Sequence, residues 1–340
     1  MNALVTGATG FLGDALARRL QQTGWQVTGL GRNPTVGKEL SDRGIRFIQA
    51  DLRDRQAIIK ACADQEIVFH CGAAVGTWGD SQYFYDVNVG GTDNIVAGCQ
   101  LSGTRRLIYV STPSIYFSTQ DRFNVKEDDP LPSPINIYAA TKLTAERVIA
   151  RAHRDGLPVI SIRPRAIFGP GDTTIFPRIL TALQSGRLPR IGDGKNVQDL
   201  SYIDNVVDAL LLCAASPAFT LGRTYNISNG QPTRIWEVID RLCRELSLPM
   251  PTRKVPLVLP FALASLLELS YKLLRISQEP PITRYSISML ARSMTLDISS
   301  ARRDLGYVPK VSVEDGIERF IGWWKIQEAR LGNQHNQAKA

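Results

Sequence analysis

The chain has 340 residues, of which 44% are hydrophobic and 21% charged, an ordinary globular composition with ample room for a core. The formal net charge is +8, but no basic helix with interleaved aromatic residues appears, so the charge favours anions or a membrane surface over nucleic acid. Five cysteines without a C-x-x-C pair predict reduced thiols in a cytoplasmic protein, and three dispersed histidines argue against a metal site or a Ser-His-Asp triad. Met1-Asn2 leads directly into strand residues, so no signal peptide is expected.

The first predicted elements are a strand, a glycine-rich turn and a helix. The apolar run Ala3-Leu4-Val5 is followed by Gly7-Ala8-Thr9-Gly10-Phe11-Leu12-Gly13, and a helix is predicted from about Phe11 to Gln22. Glycines allow a tight turn and a close approach of the backbone to a pyrophosphate, and a helix N-terminus offers free N–H groups. The context therefore predicts a dinucleotide site at Gly7, Gly10 and Gly13.

A second predicted strand, Gln26–Leu30, ends at Gly31-Arg32. In dinucleotide-binding folds a carboxylate at this place binds the ribose 2′-hydroxyl of NAD. Glycine and arginine here favour a 2′-phosphate instead, so NADP(H) is the expected cofactor and NAD(H) the alternative. The alternative role of Arg32 is that of a solvated loop side chain.

Further strands alternate with helices. The strands are predicted at 46–49, 67–70, 107–110 and 158–162. One helix is predicted to end near residue 63, and two more are predicted over about 91–101 and 138–153. This alternation predicts an α/β fold with a doubly wound parallel sheet. Ligands bind at the carboxyl ends of such strands, where Asp51-Leu52, Gly72-Ala73-Ala74 and Ser111-Thr112 fall. Tight packing is the alternative role of residues 72–74.

The stretch Tyr138-Ala139-Ala140-Thr141-Lys142 begins one of these helices. Residues four apart lie on one helix face, so the phenol and the ammonium are expected side by side. A positive charge nearby would lower the pKa of a tyrosine, which is about 10 when unperturbed, toward a useful range for proton transfer. A Tyr-x-x-x-Lys pair is therefore a candidate acid/base device, although such pairs also occur by chance.

The regular alternation ends after residue 165. We expect a dinucleotide-binding domain over residues 1–165, to which segments near 198–228 return, and a smaller interwoven substrate domain over 166–330. Ser312 is expected to cap a final helix that ends near Arg330, and 331–340 is expected to be a polar tail.

An unusually apolar segment runs from Val255 to Ile276. It is shorter than the roughly 20 apolar residues that span a bilayer. One interpretation is a core or interface helix. The other is an amphipathic lid that binds a lipid-like substrate or touches a membrane, with Glu268, Lys272 and Arg275 at its solvent edge.

Taken together, these motifs resemble the extended short-chain dehydrogenase/reductase superfamily, over nearly the whole chain. The chain is most similar to the 3β-hydroxysteroid dehydrogenase-like branch and in particular to bacterial 2-alkyl-3-oxoalkanoate reductases. The stretches that carry the resemblance are the glycine turn, Asp51-Leu52, Val87-Asn88-Val89-Gly90-Gly91-Thr92, Ser111-Thr112-Pro113-Ser114, Tyr138-x-x-x-Lys142, Arg163-Pro164-Arg165, Gly169-Pro170-Gly171-Asp172 and Tyr202-Ile203-Asp204-Asn205. The resemblance implies a Rossmann-type fold, an NAD(P) cofactor and a homodimer formed through helices near Gly91 and Tyr138.

The resemblance also implies roles for single residues. Tyr138 would transfer a proton to the substrate oxygen, Lys142 would bind the nicotinamide ribose, and Thr112 would hydrogen-bond the reacting oxygen, with Ser111 as the neighbouring alternative. Asn88 would serve placement or a structural hydrogen bond. Further cofactor contacts would come from the amides of Phe11 and Leu12 at the pyrophosphate, Asp51 and Leu52 at the adenine, Ala73 and Ala74 at the ribose, and Pro164 and Ile167 at the nicotinamide.

Two departures narrow the expected reaction. Gln198 stands where nucleotide-sugar enzymes carry an arginine that grips the sugar-nucleotide phosphates, and Pro113-Ser114 replaces the Asp-Glu pair of the dehydratases. We therefore expect interconversion of a ketone and a secondary alcohol on an apolar, lipid-like substrate of the 3-oxoacid type. A 3β-hydroxysteroid or sterol dehydrogenase is the alternative, and a nucleotide-sugar epimerase or a cofactor-sensing binding protein is disfavoured.

Overall fold

The computed structural model describes residues 1–186 and 188–337, with side chains described through residue 330. In these ranges the strands are β1 (Asn2–Thr6), β2 (Gln26–Gly31), β3 (Arg46–Gln49), β4 (Ile67–His70), β5 (Arg106–Val110), β6 (Arg122–Val125), β7 (Val159–Pro164), β8 (Ile167–Phe168), β9 (Arg190–Ile191), β10 (Val197–Gln198), β11 (Ser201–Tyr202), β12 (Thr224–Ile227), β13 (Thr233–Arg234), β14 (Lys254–Val255) and β15 (Met294–Leu296). The helices are α1 (Phe11–Gln22), α2 (Pro34–Asp42), α3 (Arg55–Cys62), α4 (Ser81–Tyr85), α5 (Gly91–Ser102), α6 (Ile137–Arg154), α7 (Phe176–Gln184), α8 (Ile203–Ala215), α9 (Ile235–Glu245), α10 (Val258–Leu273), α11 (Arg284–Ala291), α12 (Ser299–Leu305) and α13 (Val313–Gln337).

A seven-stranded parallel sheet organises the molecule, in the order β12-β7-β5-β4-β1-β2-β3. Two buried apolar clusters cover its faces. One includes Leu16 of α1 and Leu210 of α8, and the other includes Ile58 of α3 and Ile149 of α6. The strand order reverses between β1 and β4, the place where such sheets bind ligands. The predicted doubly wound sheet is confirmed.

The second half of the chain adds smaller pieces. A four-stranded sheet has the order β13-β10-β15-β6, and a third apolar cluster joins α7, α9 and α13. β12 lies within the predicted returning segment and forms the edge of the main sheet beside β7. β6 belongs by number to the first predicted domain, yet it pairs with β15. The two parts of the chain are therefore interleaved.

The helix predicted from about Phe11 to Gln22 is observed as α1, with the same limits. α6 begins where Asn136 caps it, because the Asn136 side chain accepts a hydrogen bond from the amide of Ala139 at 2.8 Å. The capping of the last helix is also observed, with the Ser312 hydroxyl accepting from the amide of Asp315 at 3.0 Å. That helix continues to Gln337, past its predicted end, and 338–340 of the predicted polar tail lie outside the described residues.

The apolar segment contains α10, but the residues that α10 exposes and buries differ from the expectation. Leu259, Leu263 and Leu266 share one face and are 65%, 52% and 66% exposed. Glu268, expected at the solvent edge, is 8% exposed and accepts hydrogen bonds from the amide and Nε of Arg284 at 2.7 and 2.8 Å. That expectation is wrong because this ion pair ties the inner face of α10 to α11. Among the described residues no helix combines the length and the apolar character needed to cross a bilayer.

Candidate active site

The glycine turn after β1 is shaped by close backbone packing. Gly7 has a φ of +68°, and a Cβ there would lie 2.7 Å from the Cα of Gly72. A Cβ at Gly13 would lie 2.2 Å from the carbonyl oxygen of Gly7. Gly10 precedes α1 and brings no side-chain cap to it, so the amides of Phe11 and Leu12 open the helix as free donors for an anion. The cradle therefore fits a dinucleotide pyrophosphate at the predicted residues.

A charged cluster lies at the ends of β2 and β3. Arg32 donates from Nη1 to the Tyr83 hydroxyl at 2.6 Å, and the same atom is 3.9 Å from Oδ2 of Asp51. Arg53 holds Asp51 through Nε at 3.0 Å and Nη2 at 2.9 Å, and this hydrogen bonding lowers the pKa of Asp51. Sequence reasoning missed Arg53 and Tyr83. Arg53 directly follows the Asp51-Leu52 motif, whereas no motif marks Tyr83.

Glycines let the segments after β3 and β4 pack closely against each other and against the start of α5. Leu52 is buried, and a Cβ on Gly72 would approach its Cδ1 to 3.1 Å. A Cβ on Gly91 would approach the Cβ of Leu52 to 2.7 Å. Gly72 therefore serves tight packing, while Ala73 follows it at the carboxyl end of β4.

Asn88 connects this loop to the helix that carries Tyr138. Its Oδ1 accepts from the amide of Ala74 at 2.7 Å, and its Nδ2 donates to the carbonyl of Ala74 at 3.1 Å and to Oγ1 of Thr141 at 3.0 Å. Asn88 lies in a π-helical turn, Asp86–Gly90, a local distortion that is frequent at functional sites. These contacts agree with the second role expected for Asn88, that of a structural hydrogen bond.

A chain of hydroxyl groups begins at Tyr138. Its hydroxyl lies near the side chain of Thr112. The Thr112 hydroxyl donates to Oγ of Ser114 at 3.1 Å. Ser114 in turn lies 3.3 Å from the hydroxyl of Tyr285. Ser111 Oγ is buried without a partner among the described residues. Thr112, and not Ser111, is therefore the hydroxyl beside Tyr138.

Lys142 lies below this chain and is 3% exposed. Its Nζ donates to the carbonyl of Val110 at 2.7 Å and lies 4.2 Å from the centre of the Tyr109 ring. Burial lowers the pKa of Lys142 to about 7. Burial also raises the pKa of Tyr138 to about 12, and the nearby Thr112 hydroxyl opposes this only in part. The expected lowering of the Tyr138 pKa is wrong, because desolvation outweighs an ammonium that is directed to Val110.

The chain turns sharply after β7. Pro164 is buried and pairs with Ile227, and Ile167 is partly buried in β8. Between them Ala166 has a φ of +44°, which is rare for a residue with a side chain. Arg165 is 2% exposed and donates from Nη2 to Oε1 of Gln198. The sequence contained Arg165 within a motif but gave it no role.

Two further titratable groups lie close by but are held neutral. His70 is hydrogen-bonded through Nδ1 to Thr6 at 2.8 Å and through Nε2 to Thr92 at 3.1 Å. Burial lowers the pKa of His70 to about 3 and raises the pKa of Cys71 to about 12. Neither group therefore titrates near neutral pH.

We expect Lys142→Met to stabilise the protein, and to do so more at pH 6 than at pH 9. The folded-state pKa of about 7 is below the ordinary 10.5, so unfolding takes up a proton between these values and wild-type stability rises with pH through that window. The difference in Tm at pH 6 should be on the order of a few °C. Thermal melting without added cofactor measures it, with Lys38→Met, an exposed lysine, as the control. A difference that is equal at both pH values would contradict the prediction.

Comparison with known proteins finds relatives whose similarity extends over the residues of the candidate site. Residues 3–228 match the NAD dependent epimerase/dehydratase family. A 2-alkyl-3-oxoalkanoate reductase of Stenotrophomonas maltophilia is 38% identical over 326 residues, which cover 94% of this chain and 98% of that protein. A 3beta-hydroxysteroid-dehydrogenase/decarboxylase of Arabidopsis thaliana is 36% identical over 300 residues, 84% of this chain and 68% of that protein.

A solved structure extends the likeness to the fold. The dTDP-glucose 4,6-dehydratase of Streptomyces venezuelae, solved with NAD bound, superposes with a TM-score of 0.77 at 26% identity, covering 97% of this chain and 98% of that one. The family match spans the sheet, the glycine turn and both Tyr138 and Lys142. The chain therefore belongs to the NAD dependent epimerase/dehydratase family of extended short-chain dehydrogenases/reductases and is an NAD(P)-dependent enzyme.

Proposed function

We propose that the protein is an NADP(H)-dependent reductase of 3-oxo acids with an apolar, lipid-like chain. The observation that carries the proposal is the grouping of Tyr138, Thr112 and Lys142 at the carboxyl end of β5. It is supported by the 2-alkyl-3-oxoalkanoate reductases, two of which match 94% of this chain. Tyr138, Lys142 and Thr112 are proposed as the catalytic residues.

The proposed mechanism assigns one task to each side chain. The nicotinamide, when bound, supplies or accepts the hydride. Thr112 donates a hydrogen bond to the substrate oxygen, and Tyr138 donates the proton to it during reduction. A Tyr138 pKa of about 12 keeps the phenol protonated at neutral pH, which is the form that a proton donor needs. Lys142, on the next turn of α6, would bind the nicotinamide ribose.

The proposed preference for NADP(H) depends on Arg32. Arg32 is 58% exposed and ends near Asp51, whose charge is matched by a two-point contact with Arg53. Arg32 therefore retains donors for a 2′-phosphate. NAD(H) is the alternative, since the solved dehydratase was obtained with NAD.

Two alternatives differ in substrate. A 3β-hydroxysteroid or sterol dehydrogenase would use the same hydroxyls, and the Arabidopsis relative favours it. A nucleotide-sugar epimerase is favoured only by the superposition on another nucleotide-sugar enzyme, the dTDP-glucose dehydratase, and is disfavoured by Gln198. This side chain is 2% exposed, and its Nε2 donates to the carbonyls of Met289 and Arg292 at 3.1 and 2.6 Å.

The outer face of α10 is proposed to contact an anionic lipid surface. Leu259, Leu263, Leu266 and Leu273 expose a continuous apolar face. Basic residues flank it, with Arg253-Lys254 before the helix and Lys272 and Arg275 at its end. The chain just after α10 also reaches the loop after β4, because Trp78 Nε1 donates to the carbonyl of Ile276 at 3.0 Å. A lipid-like substrate would then enter beside the cofactor loop.

The resemblance also implies a homodimer through α5 and α6. Most of α5 is buried against α3 within the chain, which leaves Gln100 and Leu101 among its exposed residues. Light scattering of the wild-type protein measures the oligomeric state directly.

We expect Tyr138→Phe to reduce turnover of a 3-oxo acid by at least about 100-fold, because the proton donor is lost. NADPH binding should change little, since the phenyl ring retains the packing. Steady-state assays with NADPH and a fluorescence titration of the cofactor measure the two effects. Tyr85→Phe, a half-exposed tyrosine on α4, is the matched control. Turnover of Tyr138→Phe near that of the control would disprove the assignment.

Arg32→Ala should weaken NADPH binding roughly 10- to 100-fold and NADH binding far less, because only the 2′-phosphate uses the charge. Titration of both cofactors tests this, with Arg18→Ala on α1 as a control of equal charge change. Tighter binding of NADH than of NADPH by the wild type would refute the proposed preference.

The double variant Leu263→Glu/Leu266→Glu should abolish binding to vesicles of phosphatidylglycerol and phosphatidylcholine, because two carboxylates replace apolar contacts at an anionic surface. Sedimentation with vesicles is the measurement, and Leu101→Glu, a 72% exposed leucine on α5, is the control. If the double variant still binds vesicles but changes its oligomeric state, the face is an interface between copies.

A further inference from the structure

Arg165 is a buried cation without a carboxylate partner. It is 2% exposed, its Nη2 donates to the neutral amide oxygen of Gln198, and its Nε is buried with no hydrogen-bond partner. Across the described residues no carboxylate lies within 4.0 Å of its guanidinium. Two residues earlier, Arg163 is held at two points by Glu146, at 2.8 and 2.6 Å. Of the two buried arginines in this motif, Arg163 therefore has a carboxylate partner, whereas Arg165 has only the neutral amide of Gln198.

The neighbours of Arg165 hold its side chain in place without forming an ion pair with it. Gln198 anchors it, since the amide nitrogen of Gln198 is bound to two backbone carbonyls. Met289 Sδ lies 3.3 Å from Nη2. Asp199 is nearby, but its Oδ2 accepts from the amide of Leu296 at 2.7 Å and burial raises its pKa. Asp199 therefore acts on Arg165 from a distance, without an ion-pair contact among the described residues.

Arg165 also lies at the end of the hydroxyl chain that begins at Tyr138. Its guanidinium is beside the Tyr285 hydroxyl, and Tyr285 reaches Thr112 through Ser114 at 3.3 and 3.1 Å. Two hydroxyl side chains thus separate the guanidinium from the predicted proton donor and its partner. Position 165 follows β7 directly, at the edge of the sheet where ligands bind.

A buried cation with an unused donor is costly unless an anion joins it. Burial lowers the pKa of Arg165, which reflects the same cost. A ligand with a negatively charged group near its reacting carbon would remove this cost by pairing with Arg165.

We propose that Arg165 binds the carboxylate of a 3-oxo acid, so that the enzyme selects acids over the corresponding esters and simple ketones. This inference rests on the proposed function. In a 3-oxo acid only one carbon separates the carboxyl carbon from the keto carbon, so a keto oxygen at Tyr138 and Thr112 places the carboxylate toward Tyr285 and Arg165. The planar guanidinium suits a carboxylate, and its free Nε supplies the donor.

A nucleotide-sugar pyrophosphate fits this place less well. It carries two charges and is remote from the reacting sugar carbon, whereas Arg165 offers one charge close to the reacting hydroxyls. Met289 and the ring of Phe117, whose centre is 4.9 Å from that of Tyr285, add apolar walls. The site therefore favours a small anion that continues into an apolar chain.

The experiment compares a 2-alkyl-3-oxo acid with its methyl ester, using NADPH and the full-length protein. Wild type should favour the acid in kcat/KM, and Arg165→Met should lose about 10- to 100-fold on the acid with little change on the ester. Arg165→Lys should restore part of the preference, and Arg178→Met, an exposed arginine on α7, should leave it unchanged. The comparison of acid and ester by the wild type needs no variant and does not depend on the folding of Arg165→Met.

A binding measurement separates this inference from the proposed function. Calorimetry with a saturated 2-alkyl acid, its methyl ester and UDP-glucose requires no turnover. If wild type reduces neither acid nor ester, the proposed function fails, and binding of the acid that is lost in Arg165→Met still supports the site. Equal handling of acid and ester by the wild type, equal loss of both in Arg165→Met, or UDP-glucose binding that depends on Arg165 would each overturn the inference.

Discussion

The burial of cationic side chains at the carboxyl edge of the sheet is the constraint around which the site is built. Lys142, Arg163 and Arg165 are each less than 10% exposed, on α6, on β7 and directly after β7. Only Arg163 has a carboxylate, Glu146, and this pair joins α6 to β7 through two hydrogen bonds. Because α6 also carries Tyr138 and Lys142, the ion pair of Arg163 helps to fix the position of the helix with the proposed catalytic residues. Breaking such a buried pair typically costs about 3–5 kcal/mol.

The other two cations are held by neutral acceptors, the carbonyl of Val110 and the amide of Gln198. Neutral acceptors orient a cation without cancelling its charge, so the charge of Arg165 remains available to a ligand. Lys142 therefore lies at the end of β5, and Arg165 lies at the end of the neighbouring strand β7. Desolvation dominates the pKa values of both Tyr138 and Lys142, and it favours the neutral forms of both.

Sequence patterns predicted the alternating strands and helices of the sheet, the glycine turn and the helix of Tyr138, because each of these elements is specified locally. A strand followed by Gly7 and α1, or Tyr138 and Lys142 one turn apart on a helix, is specified within a few residues. The pattern could not predict that Tyr285 would reach Ser114, since 171 residues separate them and no motif marks Tyr285. It also misjudged the pKa of Tyr138 because helical spacing gives the proximity of two side chains but not their burial. Glu268 was misplaced for the same reason, since its partner Arg284 belongs to an unpredicted helix.

The departure at Gln198 takes on a different meaning in three dimensions. From the sequence it was a lost arginine, which argued only against a nucleotide-sugar substrate. In the structure the amide of Gln198 is used fully, with Nε2 bound to the carbonyls of Met289 and Arg292 and Oε1 to Arg165. An arginine at 198 would present no acceptor to Arg165 and would place two positive charges together, at a cost that rises steeply in a low-dielectric interior. Gln198 and Arg165 are therefore best understood as a pair, in which a neutral residue at one position permits the buried charge at the other.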